Sequence, residues 1–265
     1  MSNSTLNIIK IGGNVIDDDI QLEAFLEKFA AVPGKKILVH GGGKIATRIA
    51  ASLGIEAKMV DGRRITDEPM LDVVTMVYAG LTNKKIVATL QKYDCDAIGL
   101  SGADGNVIKA VKRPVKDIDY GYAGDILADS VNALAIKKFL DAGFTPVFSA
   151  ITHNGNGQLL NTNADTIASA LATALSSYYE TSLIYCFEKN GVLLDVNDNA
   201  SVIENITASE YSRYKESGII SDGMIPKLEN AFDAINKGVK SVFIGNASNL
   251  HLFQQRKFGT CLVNK

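Results

Sequence analysis

Short β-branched runs that alternate with longer amphipathic stretches constrain this chain more than any other feature of its sequence. Leu6 to Ile11 is followed by a helical pattern from Ile20 to Ala30 and then by Lys36 to His40. Strand, helix and strand in that order predict a parallel pairing, because parallel neighbours need a crossover that a helix supplies. Further strands are expected at Ala97 to Leu100, Pro146 to Ala150, Leu183 to Phe187 and Val242 to Ile244, each separated by enough chain for another crossover. The expected fold class is therefore α/β, a mostly parallel sheet covered on both faces.

Helix signals between these strands are specific. Ala164, Ile167, Ala168, Leu171, Ala174 and Leu175 fall on one face of a 3.6-residue period, and Asn163 stands where an N-cap belongs. After Pro226, Leu228, Ala231, Phe232 and Ile235 repeat the pattern up to Gly238, a suitable C-terminal cap. A long helix is expected from Pro69 to Gln91, with Leu71, Val74, Tyr78 and Leu81 on one apolar face and Val73 and Val77 on another. Two departures from the sheet are expected as hairpins, one between Ala103 and Gly124 and a shorter one at Asn154-Gly155-Asn156-Gly157. No repeat or Pro-rich linker divides the 265 residues, and a boundary is placed near Ser176 to Thr181.

Charge and cysteine usage exclude several classes of function. Lys plus Arg numbers 27 against 29 Asp plus Glu, so the basic excess of a nucleic-acid or anionic-membrane binder is missing. Cys95, Cys186 and Cys261 are widely spaced, odd in number and without a C-x-x-C pair, which argues against a disulfide framework or a structural zinc site. His40, His153 and His251 are too scattered to suggest a metal triad, and no metal site is expected in the protein itself. No apolar run approaches the ~18 residues of a membrane span, and a reducing, cytoplasmic setting is the expectation.

Five segments could carry chemistry. Lys10 interrupts an apolar strand just before Gly12-Gly13, either on an exposed strand face or beside an anion site at the strand's carboxyl end. His40-Gly41-Gly42-Gly43 links a strand to a helix, where unpaired N–H groups and the helix dipole can form an anion cradle or where a tight turn merely packs. His40 itself reads as a core histidine. Arg63-Arg64 follows a turn and is either solvated or a carboxylate fork. Asn161, Asn163 and Asp165 crowd polar groups at the start of the strongest helix, as caps or as orienters of other charges. Lys227 sits in a first helical turn, where the dipole disfavours a cation unless an anion binds there too.

In order, Ile-Ile-Lys-Ile-Gly-Gly, Val-His-Gly-Gly-Gly, Asp-Gly-Arg-Arg-Ile-Thr, Leu-Asn-Thr-Asn-Ala-Asp and Asp-Gly-Met-Ile-Pro-Lys resemble the amino acid kinase family. Within it, the resemblance is to the branch that phosphorylates N-acetyl-L-glutamate in arginine biosynthesis. It runs from Lys10 to Gly259-Thr260. It implies a three-layer α/β/α sandwich with one continuous sheet, residues 1–176 holding the acyl-glutamate and 177–265 holding ATP with Mg²⁺. It also implies that Lys10 and Lys227 stabilise the transferring phosphoryl group, that Asp165 holds both lysines, and that Gly42, Gly43, Arg64 and Asn161 bind the substrate. Gly12 and Gly13 would offer N–H groups to phosphate. Glu188, Gly191, Ile219, Ile220 and Ser221 fall in the stretches that would hold the nucleotide. There, Cys186-Phe187-Glu188-Lys189-Asn190-Gly191 departs from the Thr-Asp-Val-x-Gly type loop of the family.

The resemblance further implies a homodimer. Only nine residues precede Lys10, which leaves no room for the N-terminal helix of arginine-inhibited hexamers, so insensitivity to arginine is the expectation. The 103–124 hairpin would fold over the acyl group as a lid and leaves acetyl or succinyl open. Lys109, Lys112 and Arg113 are the cations a succinyl carboxylate could use.

Overall fold

In the computed structural model of this chain, residues 4–60, 62–220 and 224–263 are described. Thr5–Ile11 forms β1, followed by α1 (Gly13–Asp17), α2 (Asp19–Ala30), β2 (Lys35–His40) and α3 (Gly43–Ser52). A small antiparallel pair, β3 (Met59–Val60) and β4 (Arg63–Arg64), leads into α4 (Glu68–Val74), a π-helical stretch (Thr75–Thr82) and α5 (Asn83–Gln91). Next come β5 (Ala97–Leu100), β6 (Val111–Lys112), β7 (Ala123–Asp125), α6 (Ala133–Asp141), β8 (Thr145–Ser149), β9 (Ile151–His153) and β10 (Leu159–Thr162). The chain continues through α7 (Ala164–Leu175), β11 (Glu180–Phe187), β12 (Asn205–Thr207), α8 (Ala208–Glu216), α9 (Ile225–Asn236), β13 (Ser241–Asn246) and β14 (Thr260–Val263).

Eight strands make the central sheet in the order β12-β14-β13-β11-β1-β2-β8-β5, and every pairing but β13 with β14 is parallel. The six strands expected from the sequence are all present, and β12 and β14 extend the sheet at one edge. Along β1, Leu6 and Ile8 enter one apolar core while Ile9 and Ile11 enter the other. One face is covered by α6, α7 and α9, and the opposite face by α2, α5 and the 3₁₀ turns of 247–255. Direct pairing of β1 with β11 carries the sheet across the 176–181 segment.

Local chemistry explains the helix starts. Asp18 accepts the N–H groups of Ile20 and Gln21, and Asn163 accepts that of Thr166, each satisfying a donor that has no partner within its helix. Both expected hairpins form, and they join: β6 pairs with β7, β9 with β10, and the parallel pairing of β7 with β10 makes one four-stranded sheet, β6-β7-β10-β9.

The helix from Pro69 to Gln91 departs from expectation. Leu71, Val73, Val74, Val77 and Tyr78 are buried within the monomer, but Leu81 and Met76 are each 54% exposed. A π-helix holds more residues per turn than an α-helix, because its hydrogen bonds span five residues rather than four. The face that carries Tyr78 therefore continues through Thr82 and Asn83, both buried, and Leu81 is turned outward.

Candidate active site

Two clefts lie at the carboxyl ends of the central strands, the place where open α/β sheets collect ligands. Lys10 is the last-but-one residue of β1, in register with Val39 on β2 and Tyr185 on β11. It therefore belongs to the centre of the sheet, and its side chain is only 13% exposed. A lysine there needs a counter-charge, and Asp165 in the first turn of α7 supplies it at 2.8 Å from Nζ to Oδ1. Burial raises the affinity of the Asp165 carboxyl for its proton, but the ammonium groups of Lys10 and Lys227 more than offset this, and its pKa falls below the ordinary value. Asp165 thus stays ionised between two lysines that come from distant parts of the chain.

Lys10, Asp165 and Lys227 line one cleft of about 240 Å³ together with Gly12, Gly13, Asn14, Phe187 and Glu188. The Lys227 ammonium lies 5.3 Å from the centre of the Phe187 ring, a cation–π contact that keeps it in the cleft. Cys186 also lines it, but burial pushes its thiol pKa well up, so it is no nucleophile. Gly13 opens α1, whose first N–H groups have no partner inside the helix. Gly12 differs from expectation: its N–H donates to the Cys186 carbonyl at 2.9 Å, extending the β1–β11 ladder, so it offers no donor to phosphate.

The second cleft, about 190 Å³, is lined by Gly41, Gly42, Gly43, Arg63, Arg64, Tyr78, Gly124, Asn161 and Asn163 among others. Arg64 is buried, and its Nη2 donates to the Gly43 carbonyl and to Thr47 Oγ1, both at 2.8 Å, which fixes the plane of the guanidinium. Asn161 donates through Nδ2 to Thr66 Oγ1 at 3.0 Å, and Thr66 also accepts from Tyr122 and donates to the Tyr120 carbonyl through its backbone. Gly121 allows this close approach: with φ +65°, a Cβ there would lie 2.1 Å from the Thr66 oxygen. The hairpin thereby brings Ala123 and Gly124 to the cleft wall. Lys112 and Arg113 face elsewhere, Lys112 over the Tyr122 ring and Arg113 paired with Asp125 at 2.5 Å. Lys109 runs past Gly155, and Arg63 joins Arg64 on the cleft wall.

The first turn of α7 joins the clefts, since Asn163 and Ala164 border one and Asp165 the other. A second tie runs between α1 and α3. Lys44 donates to Asn14 Oδ1 and lies 3.9 Å from Asp17, whose carboxyl pKa is raised by burial against the pull of Lys44 and Arg48.

Several nucleotide-side expectations are placed differently. Gly191 packs beneath β14, where a Cβ would meet Thr260 Oγ1 and Val202 Cγ1 at 2.8 Å, and it does not line the lysine cleft. Ile220 is buried in the apolar core with its N–H on the Tyr214 carbonyl, and Ile219 is 37% exposed. Ser221, with Asp222 and Gly223, lies outside the described residues. Glu188 does line the cleft, and its backbone carbonyl accepts from Asn246.

Among the described residues, no cluster of three His, Cys, Asp or Glu side chains could cage a metal ion. Among the described residues, Asp165, which is paired with Lys10, and Glu188 are the carboxylates that line the lysine cleft. Such a donor set suits a magnesium ion that arrives on phosphate oxygens and keeps most of its waters, the usual mode for this hard, reluctantly dehydrated ion.

Strand-end lysine, helix-borne aspartate and lysine from a third element thus meet in one cleft, beside a second cleft that holds a buried arginine. The sequence pattern of the amino acid kinase family matches residues 5–246. The chain belongs to the amino acid kinase family. Acetylglutamate kinase of Cytophaga hutchinsonii is 54% identical over 261 residues, 97% of this chain and 98% of its own. Acetylglutamate kinase of Bacteroides thetaiotaomicron is 55% identical over 92% of this chain and 94% of its own. Among solved structures, N-acetylglutamate synthase from Neisseria gonorrhoeae superposes with a TM-score of 0.81 over all of this chain and 60% of that one, and at 23% identity this likeness speaks to the fold. Membership in the amino acid kinase family accounts for the three-layer architecture and for clefts at the sheet's carboxyl edge.

Proposed function

We propose that this chain is an acetylglutamate kinase, transferring the γ-phosphoryl group of ATP to the γ-carboxylate of N-acetyl-L-glutamate in arginine biosynthesis. The observation that carries the reading is Asp165 held between Lys10 and Lys227 at the junction of two clefts, in a chain more than half identical to acetylglutamate kinases.

The chemistry needs few protein groups. A γ-carboxylate, with a reference pKa near ~4.3, is already ionised at neutral pH, so no general base is required. One carboxylate oxygen forms a bond to the γ-phosphorus as the bond from phosphorus to the β,γ-bridging oxygen breaks, and ADP leaves with that electron pair. The difficulty is bringing two anions together, which positioned cations and N–H groups overcome. Lys10 and Lys227 are assigned to the phosphoryl oxygens, Asp165 to holding both lysines, and the Gly13 N–H to phosphate. Arg64 is assigned to the substrate α-carboxylate, Asn161 to the glutamate chain, and Gly42 and Gly43 to backbone contacts with the substrate. Glu188, Gly191 and the 219–221 segment are assigned to the nucleotide side, where the glycine acts by letting β14 approach. Magnesium bound with ATP would supply further neutralisation of phosphate charge, with Glu188 a carboxylate lining the same cleft.

In this reading residues 1–176 serve the acyl-glutamate and 177–265 the nucleotide. The working unit in this reading is a homodimer in the cytoplasm. Exposed Met76 and Leu81, on a helix that packs beside the edge strand β5, support association. Among the described residues no helix is long and apolar enough to cross a membrane. The test is turnover with ATP, Mg²⁺ and a panel of N-acetyl-L-glutamate, N-succinyl-L-glutamate, free glutamate, aspartate, carbamate and UMP. Acyl phosphate is trapped with hydroxylamine and ADP is read separately. Preference for N-acetyl-L-glutamate is expected, and preference for any other acceptor would overturn the assignment.

A further inference from the structure

His40 has no part in the chemistry above, yet it is fully buried at the end of β2, directly behind the glycines of the substrate cleft. Its Nδ1 lies 2.8 Å from the Gly41 carbonyl, which can only accept, so Nδ1 carries the proton. Nε2 must then accept, and Asn83 Nδ2 donates to it at 3.0 Å. The other hydrogen of that amide goes to the Val147 carbonyl at 2.9 Å, and Asn83 Oδ1 accepts from Lys84. Both side chains are thereby satisfied without water. Burial holds the imidazole pKa down at about 4, so the ring is neutral.

Asn83 reaches His40 because of the π-helical stretch that precedes it. An α-helix continued from Tyr78 would turn Leu81 inward and carry Asn83 away, whereas Leu81 is exposed and Thr82 and Asn83 are buried. The same stretch sets the Tyr78 ring against Gly42, where a Cβ would meet Cδ1 at 3.0 Å and Thr82 Oγ1 at 3.3 Å. Gly42 has φ +153°, a conformation that side chains rarely adopt. Three residues of one helix therefore brace a strained glycine loop from behind.

We propose that His40, held by Asn83, is a positioning residue that sets the Gly41–Gly43 backbone for the acyl-glutamate, and that the π-helical stretch serves to deliver Asn83 and Tyr78 to it. The inference rests on the kinase reading above and deepens it, since it assigns a task to residues that do not touch the substrate. Removing the Gly41 tether frees the loop on the substrate side and leaves the lysine cleft as it is.

Two substitutions separate positioning from packing. In His40→Asn the side-chain amide nitrogen stands near the place of Nδ1 and keeps the donor to Gly41. In His40→Gln the amide reaches toward the place of Nε2 and the tether is lost. Steady-state kinetics against N-acetyl-L-glutamate and against ATP, with thermal melting, are measured for wild type, both variants and Asn83→Ser. His40→Gln is expected to raise KM for N-acetyl-L-glutamate about tenfold, the worth of one lost hydrogen bond, and Asn83→Ser, which keeps the Gly41 tether but loosens the ring that makes it, about threefold. His40→Asn, which likewise keeps the tether and loses the Asn83 contact, should stay within about threefold of wild type, and KM for ATP should move by less than about twofold in all of them. Equal KM values in His40→Asn and His40→Gln, or parallel changes for both substrates, would overturn the positioning role. Should the His40 variants not fold, Asn83→Ser decides by the same split between substrates. Absence of wild-type turnover on N-acetyl-L-glutamate would instead overturn the kinase reading and this inference with it.

Discussion

Replacing Asp165 by asparagine removes one negative charge from between Lys10 and Lys227 and changes little else in size. Asparagine can still accept from Lys10 through Oδ1, but the attraction across 2.8 Å is lost and two ammonium groups are left without their shared counter-ion. At an effective dielectric of ~20 the direct attraction at this separation is several kcal/mol. The pair retains 13% and 23% side-chain exposure, and solvent reclaims part of what is lost. A net cost of about 2 kcal/mol is therefore expected, in the range for hydrogen bonds to charged groups. In a chain of this size that corresponds to a drop of roughly 5 °C in Tm.

The pH dependence of that difference follows from the direction of the shift. The Asp165 pKa is lowered in the folded state, so its contribution is present above the ordinary carboxyl value of about 3.8 and is lost as pH falls through the lower folded value. The gap in Tm between wild type and Asp165→Asn should be full at pH 7 and shrink below about pH 4. Catalysis should suffer more than stability: misplacing a charge-stabilising group by ~1 Å costs on the order of 100-fold, so kcat should fall by about that factor with KM for ATP little changed. Scanning calorimetry from pH 7 to pH 3.5 and coupled ADP release provide the measurements. Wild-type kcat in the variant, or a Tm gap that persists unchanged into acid, would refute the reasoning.

Lys227→Ala should lower kcat by about 100- to 1,000-fold with Tm only a few degrees below wild type, because Asp165 keeps its direct pair with Lys10 and loses only the longer-range attraction of Lys227; steady-state kinetics with melting curves check this. Arg64→Lys keeps the charge but loses the planar fork that meets Gly43 and Thr47, and should raise KM for N-acetyl-L-glutamate about tenfold or more while KM for ATP stays put in initial-rate measurements. Gly42→Ala places a methyl group 3.0 Å from Tyr78 at φ +153°, and should cost about 1–3 kcal/mol in urea unfolding together with most of the activity.

Much of the site was legible from residue type and local position alone. A lysine in a β-branched run just before paired glycines is hard to explain except at the end of a buried strand, and Lys10 occupies that place. Asn163 and Asp165 were readable as helix-start residues, and the structure adds that one caps α7 while the other faces Lys10. Roles that depend on backbone hydrogen bonding were not legible. Gly12 and Gly13 are identical side chains in sequence, but the ladder to Cys186 occupies the N–H of one and the start of α1 leaves that of the other open. Gly191 reads as a loop glycine and proves to be a packing glycine, because what it accommodates, Thr260, is nearly seventy residues away. Arg63 and Arg64 are indistinguishable by type, and only the fold buries the second against Gly43 and Thr47.

Periodicity and turn residues determined the α/β class, six of the eight central strands, the α7 and α9 helices and the two hairpins, because each rests on local pattern within a short stretch of chain. Tertiary structure decided the rest. It joined the two hairpins into a second sheet, turned Leu81 out and Asn83 in by way of a π-helical stretch, and brought Lys10, Asp165 and Lys227 to one point. Hydrophobic spacing reports which face of a segment is buried, whereas the partner found there is set by contacts across more than a hundred residues of chain, which no local pattern encodes.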